Sequence, residues 1–116
     1  MKYALIGCGR ITPNHIVAAK SNALEFVGIC DIVEENMIDK VKKFELGNVH
    51  QYTDYKRMID QEQPELVAIA TESGKHAEIA LYCIEAGCHV IIEKPIALSL
   101  SDADEIIKCA NEKGVT

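Results

Sequence analysis

The sequence predicts an α/β fold, a doubly wound parallel sheet covered by helices on both faces, in a single domain spanning residues 1–116. Three observations predict it. Short apolar runs alternate along the chain with segments whose apolar residues recur every three or four positions, the pattern of strands alternating with helices. The runs lack polar alternation, as in strands buried on both faces. The connections are short and punctuated by glycine or proline, and strand–helix–strand crossovers of this kind are right-handed, which favours the doubly wound topology.

Tyr3–Ile6 is an apolar run closed at once by Gly7, a buried strand entering a glycine turn. A helix follows from Pro13 to Lys20, with Pro13 in the first turn, where its missing N–H costs nothing. Phe26–Cys30 is the second strand. Val33, Met37, Val41 and Phe44 then predict an amphipathic helix stopped by Gly47. Val49–Tyr52 is a weak third strand. Thr53 or Asp54 caps a short helix through Gln61, ended by Pro64. Leu66–Ala70 is the fourth strand. Lys75–Ala86 is a helix with Ala77, Ala80, Leu81 and Ile84 on one face, closed by Gly87, and Cys88–Ile92 is the fifth strand. Ser101 and Asp104 form a capping-box pattern that opens the last helix, and Gly114 ends it. Val115 and Thr116 would begin a further strand, which predicts that the sequence is a piece of a longer protein.

Composition narrows the function classes. Twelve basic against 18 acidic residues give a formal charge of −6, the wrong sign for a phosphate-backbone binder, so nucleic acid is not an expected partner. No apolar run approaches the roughly 20 residues of a spanning helix, so no membrane association is expected. The five cysteines are odd in number and none has C-x-x-C spacing. They read as buried thiols in a reducing compartment, with no disulfide framework and no metal site, which places the protein in the cytoplasm. Leu5–Cys8 looks like a lipoprotein cleavage box, but the apolar stretch before Cys8 is shorter than the roughly 7–15 residues of a signal core.

Three features carry chemistry. The turn Gly7–Thr12, GCGRIT, lies between a strand and a helix, the context of a dinucleotide-binding fingerprint. Gly7 permits the tight turn, and Gly9 lets backbone approach a pyrophosphate, which the free N–H groups of the helix N-terminus would bind. The third glycine of the fingerprint is Thr12 here, which predicts looser helix–strand packing. Asp31 ends the second strand, 22 residues past Gly9, close to the spacing of the acid that binds a ribose diol. Its charge repels a 2′-phosphate, and Ile32 and Val33 offer no arginine to accommodate one, so NAD is expected in preference to NADP. The simpler reading of Asp31 is a helix N-cap. Finally, Glu93–Pro95 puts Lys94 at the carboxyl end of a strand, where ligands sit in open parallel sheets. A lysine there can hold a substrate oxygen or move a proton.

Together, GCGRIT, Asp31, TESGKH (Thr71–His76) and EKPIALS (Glu93–Ser99) resemble the N-terminal domain of the Gfo/Idh/MocA oxidoreductases, which include glucose–fructose oxidoreductase and inositol dehydrogenase. The resemblance covers essentially the whole chain, and Glu-Lys-Pro is its most specific part. It implies a Rossmann-fold NAD(P)-binding domain and hydride transfer at a sugar or cyclitol hydroxyl. Gly7, Gly9, Arg10 and Ile11 would contact the pyrophosphate, and Asp31 the adenosine ribose. Thr71 and Ser73 would line the cofactor, and His76 would lie near its nicotinamide half. Lys94 would be the active-site lysine, catalytic together with His76, with Glu93 and Pro95 shaping the nicotinamide pocket. The family usually has proline at the position of Glu72. In the family a C-terminal α/β domain supplies most substrate contacts and the oligomer interface. The resemblance therefore implies that this domain lies outside residues 1–116, that the chain alone turns over no substrate, and that the longer protein is a homo-oligomer. The opening GCGRITPNH is also similar to a branch acting on nucleotide-linked sugars, such as 3-dehydrogenases of UDP-N-acetylglucosamine.

Two other functions compete. A non-catalytic dinucleotide-binding or redox-sensing module would share the glycine turn but has no need of Lys94 in a substrate crevice. A methyltransferase using S-adenosylmethionine also pairs a glycine loop with an acid at the second strand, but the Gly-x-Gly turn and Glu-Lys-Pro disfavour it.

Overall fold

The computed structural model describes residues 1–7, 12–22, 24–46, 49–71, 75–92 and 100–116. Strands and helices alternate throughout: β1 (Lys2–Ile6), α1 (Thr12–Ser21), β2 (Glu25–Cys30), α2 (Glu34–Lys43), β3 (His50–Tyr52), α3 (Tyr55–Glu62), β4 (Leu66–Ile69), α4 (His76–Glu85), β5 (His89–Ile92) and α5 (Leu100–Lys113). The sheet order is β3-β2-β1-β4-β5, and every neighbouring pair is parallel. The chain winds outward from β1 to β3, crosses back to β4 on the other side of β1, and winds outward again to β5. This is the doubly wound Rossmann arrangement that the sequence predicts.

Strand periodicity divides the core into two layers. Tyr3, Leu5, Ile29 and Ala68 pack with Ile16 and Ala19 of α1 and Met37 of α2. Ala4, Ile6, Cys30, Val67 and Ile69 pack with Met58 and Ile59 of α3, four residues of α4, and Ile106 and Cys109 of α5. Successive side chains of a strand point to opposite faces, and both faces are covered, hence the unbroken apolar runs. Leu5, Ile29 and Ile69 are fully buried, each a contribution of about 2 kcal/mol from removal of its side chain from water. Gly28 lets α3 close on β2: a Cβ there would lie 2.9 Å from Sδ of Met58.

Four local expectations change. The helix α2 stops at Lys43 rather than running on to Gly47, which lies outside the described residues. Glu45 takes the left-handed conformation (φ 56°), and the Leu46 N–H donates to the Val41 carbonyl at 2.9 Å, with both side chains in one core cluster. This is a Schellman-type closure with glutamate where glycine is the common choice. The buried face of α4 is His76, Ile79, Ala80, Cys83 and Ile84, with Ala77 and Leu81 at its margin. Because α4 packs against both the sheet and α5, its apolar arc is too wide for hydrophobicity alone to choose the face. Leu100 already belongs to α5, so Ser101 sits inside the first turn and is not its cap. Val115 and Thr116 are not in a strand, although the Thr116 carbonyl accepts the Val90 N–H at 2.9 Å. At α3 the cap is Asp54, whose carboxylate accepts the Lys56 N–H at 3.0 Å.

Candidate functional site at the carboxyl ends of the strands

The register aligns the strand ends. Ile6 pairs with Cys30 on one side and Ile69 on the other, and Ile69 pairs with Ile92. The residues that follow, Gly7, Asp31 and Ala70, therefore emerge on one edge of the sheet, and Glu93 follows Ile92 in sequence. Between β1 and β4 the winding reverses, the place where open parallel sheets form a ligand crevice.

A relay of backbone hydrogen bonds fixes this edge. The Asp31 N–H donates to the Tyr52 carbonyl at 3.1 Å, the Gly7 N–H to the Cys30 carbonyl at 2.7 Å, and the Ala70 N–H to the Ile6 carbonyl at 2.8 Å. Each of these three residues is thus held by the last carbonyl of the neighbouring strand. Gly7 meets two further demands. Its φ is +98°, and a Cβ built on it would lie 2.6 Å from the Ala70 carbonyl carbon and 2.8 Å from the Thr71 nitrogen. Only glycine fits where β1 and β4 diverge.

Asp31 is half-buried, and its Oδ1 accepts the Val33 N–H at 2.8 Å. This is an Asx-type turn and not an N-cap, because the cap position of α2 is Val33 and no side chain caps it. Beyond Asp31, Ile32 is 84% exposed, and Glu34 and Glu35 add negative charge in the first turn of α2. Among the described residues, those that follow Asp31 are therefore apolar and acidic, unfavourable to an added phosphate. Next to it, the Cys30 thiol is pushed up to about 12 by burial and by the charges of Asp31 and Asp54, so it stays protonated and weakly nucleophilic.

Thr71 is half-buried beyond β4, and its carbonyl lies 2.9 Å from Nε2 of His76. Nε2 carries the proton in this bond, because a carbonyl only accepts. His76 is 1% exposed and ties the first turn of α4 to the end of β4. Gly9, Arg10, Ile11, Ser73, Glu93, Lys94 and Pro95 lie outside the described residues. The structure therefore brings together Gly7, Asp31 and Thr71 at the strand ends, with His76 bonded to the Thr71 carbonyl. It adds one position that sequence reasoning missed, the Tyr52 carbonyl, a backbone group with no side-chain signature. Among the described residues no group of side chains is arranged to hold a metal ion, and no helix is long and apolar enough to cross a membrane.

Residues 1–116 match the family model GFO_IDH_MocA, described as an oxidoreductase family with an NAD-binding Rossmann fold. The chain belongs to this family. Among curated Gfo/Idh/MocA relatives, the D-apiose dehydrogenase of Paraburkholderia graminis is 34% identical over 98% of the chain and 30% of its own length. The inositol 2-dehydrogenase of Salmonella typhimurium is 28% identical over 98% of the chain and 34% of its own length. Among solved structures, the WlbA dehydrogenase of Chromobacterium violaceum, in complex with NADH and UDP-GlcNAcA, superposes with a TM-score of 0.90 at 32% identity. That match covers 99% of this chain and 33% of the other. The chain spans about a third of the length of the relatives it matches.

Proposed function

We propose that residues 1–116 are the NAD-binding part of a dehydrogenase that moves hydride between NAD and a hydroxyl of a sugar, cyclitol or nucleotide-linked sugar. The observation that carries this reading is the strand-end relay, which fixes Gly7 and Asp31 on one crevice edge with a glycine that no other residue can replace. A cradle that a single Cβ would fill, beside a half-buried carboxylate, fits a dinucleotide: backbone for the pyrophosphate, a carboxylate for the ribose diol.

Asp31 accepts hydrogen bonds from the adenosine ribose hydroxyls, with Oδ1 already oriented by the Val33 N–H. The exposed Ile32 beside it gives the base an apolar surface. Gly7, Gly9, Arg10 and Ile11 hold the pyrophosphate, while Thr71 and Ser73 line the cofactor. Bound NAD supplies the hydride acceptor. Lys94, as the free amine, takes the proton of the substrate hydroxyl as hydride leaves the carbon, with Glu93 and Pro95 shaping the pocket around it. His76 holds the Thr71 carbonyl and so sets the floor on which the nicotinamide half rests. The names of the relatives, dehydrogenases of apiose and inositol, support a polyol substrate. The bound UDP-GlcNAcA of the WlbA structure supports a nucleotide-linked sugar. Substrate contacts and the homo-oligomer interface are assigned to the longer protein, in the cytoplasm.

The test is calorimetric titration of the chain with NAD, NADP and S-adenosylmethionine, since the absence of tryptophan removes quenching as a readout. NAD is expected to bind more tightly than NADP, and S-adenosylmethionine not at all. Binding of S-adenosylmethionine in place of NAD would overturn the reading, as would failure of all three. Dehydrogenase turnover by the chain alone across a panel of sugars would refute the assignment of substrate contacts to a further domain.

A further inference from the structure

The outermost rung of the strand-end relay is the Tyr52 carbonyl, and Tyr52 belongs to a weakly supported element. β3 has three residues, lies at the edge of the sheet, and exposes His50 and Gln51. A strand this short gains little from its own ladder. What fastens it is one carboxylate on a different element. Period two puts His50 and Tyr52 on the same face of β3. Oε2 of Glu62, the last residue of α3, accepts a short hydrogen bond from the Tyr52 hydroxyl and lies 2.6 Å from Nδ1 of His50. Oε1 of Gln61 lies 3.2 Å from the same hydroxyl.

Glu62 is well placed to act as a clamp. Its side chain is 13% exposed, against 70% for His50. Its stem crosses β2 at Gly28, where a Cβ would lie 3.5 Å from Cγ of Glu62, and Gly28 is the register partner of His50. Beside it, the buried Met58 seats α3 on the same glycine. The carboxylate is therefore anchored to β2 and grips β3. Burial alone would raise the Glu62 carboxyl, but the hydrogen bonds from Tyr52 and His50 outweigh it and hold the group below the usual carboxylate value. It stays ionised, and hydrogen bonds to a charged acceptor are the stronger kind.

We infer that Glu62, through Tyr52, is a positioning residue for the cofactor acid: it fixes the Tyr52 carbonyl, which holds the Asp31 amide and with it the carboxylate that faces the adenosine ribose. The inference rests on the NAD-binding reading above. Its structural half, the coupling of Glu62 to the Asp31 amide, stands apart from any ligand.

The experiment has two arms, both on the 116-residue chain. In the first, amide exchange at Asp31 is followed by NMR in the wild type, Tyr52→Phe, Glu62→Ala and Glu62→Gln. Exchange is expected to quicken in Tyr52→Phe and Glu62→Ala, and to recover in part in Glu62→Gln, which keeps one acceptor. In the second, NAD is titrated into the same variants and into Asp31→Ala. Tyr52→Phe is expected to weaken NAD about 5-fold, the scale of one hydrogen bond, and to add nothing further in the Asp31→Ala background. Tyr52→Phe keeps the ring, and so guards against a variant that fails to fold. Unchanged Asp31 exchange in a folded Tyr52→Phe chain would overturn the inference. So would a loss of NAD affinity that adds in full to that of Asp31→Ala, because the clamp would then act elsewhere. If the wild type binds no NAD, the functional reading fails, and the exchange arm still decides whether Glu62 holds Asp31.

Discussion

Gly7 and Ala70 approach so closely that a methyl group on Gly7 would lie 2.6 Å from the Ala70 carbonyl carbon. The contact is between backbones, so no side-chain rotation relieves it. Gly7→Ala is therefore expected to cost about 3 kcal/mol or more, combining strain at φ +98° with a forced separation of β1 and β4. Gly87 supplies the control. Its φ is +87°, yet nothing lies within 4 Å of an added Cβ, so Gly87→Ala should cost only the conformational part, about 1 kcal/mol. Urea unfolding of the two variants compares them directly. Equal losses would mean that the strand ends are not in contact at Gly7.

The Asx-type turn at Asp31 separates two roles that alanine would confuse. Asp31→Asn keeps an oxygen to accept the Val33 N–H but removes the charge. Stability should stay within about 0.5 kcal/mol of wild type, the range of a conservative half-exposed change. NAD affinity should fall about 10-fold, from loss of charge-assisted bonds to the ribose, while NADP affinity should not fall, because repulsion of its 2′-phosphate is relieved. Asp31→Ala should lose stability as well. An Asp31→Asn chain that discriminates between NAD and NADP as the wild type does would show that the carboxylate is not the selecting group.

The parts of this molecule that were legible in its sequence are those where residue identity reports a backbone need or a spacing. Gly7 was legible because a strand followed at once by glycine signals a tight turn, and Asp31 because its distance from the glycine turn matches a ribose acid. The two-layer sheet was legible in the unbroken runs Tyr3–Ile6 and Leu66–Ala70. The relay was not, because the Tyr52 carbonyl is present whatever residue stands at that position. Glu62 reads in sequence as one more polar residue just past a short helix, and its place in α3 and its burial appear only when α3 packs over Gly28. The stop of α2 at Lys43, closed by the left-handed Glu45, was illegible for a related reason: the bond from Leu46 to Val41 and its apolar contact outweigh the preference for glycine at that conformation. At α4 the sequence marks an apolar arc, but the sheet and α5 together decide which part is buried.

Alkaline pH should unfold the chain early. Burial, with help from the Glu62 carboxylate at Tyr52 and from Asp31 and Asp54 at Cys30, pushes Tyr52, Tyr55 and Cys30 each up to about 12. The ordinary values are 10.0 for tyrosine and 9.0 for cysteine. Between the ordinary and the raised values the unfolded chain binds fewer protons than the folded one. Stability from these groups is therefore complete below about pH 9 and declines as pH rises toward 12. The urea midpoint measured from pH 7 to 11.5 should fall progressively above pH 9, and Cys30→Ala should flatten the early part of the decline. A midpoint level to pH 11.5 would contradict the burial of these groups.

His76 is the buried polar residue of the described core, and its Nε2 bonds a backbone carbonyl at the crevice. Replacing it with alanine removes the ring from a fully packed site and takes the Nε2 donor from the Thr71 carbonyl. The expected loss is about 2–4 kcal/mol, from the cavity and the broken bond together. His76→Gln can restore a donor near the same place and should recover part of it. These two variants also separate positioning from proton transfer. If His76 acts by holding Thr71, NAD affinity should fall in His76→Ala and return partly in His76→Gln. A stably folded His76→Gln chain that binds NAD no better than His76→Ala would mean instead that the imidazole acts in its own right, returning it to a catalytic role beside Lys94.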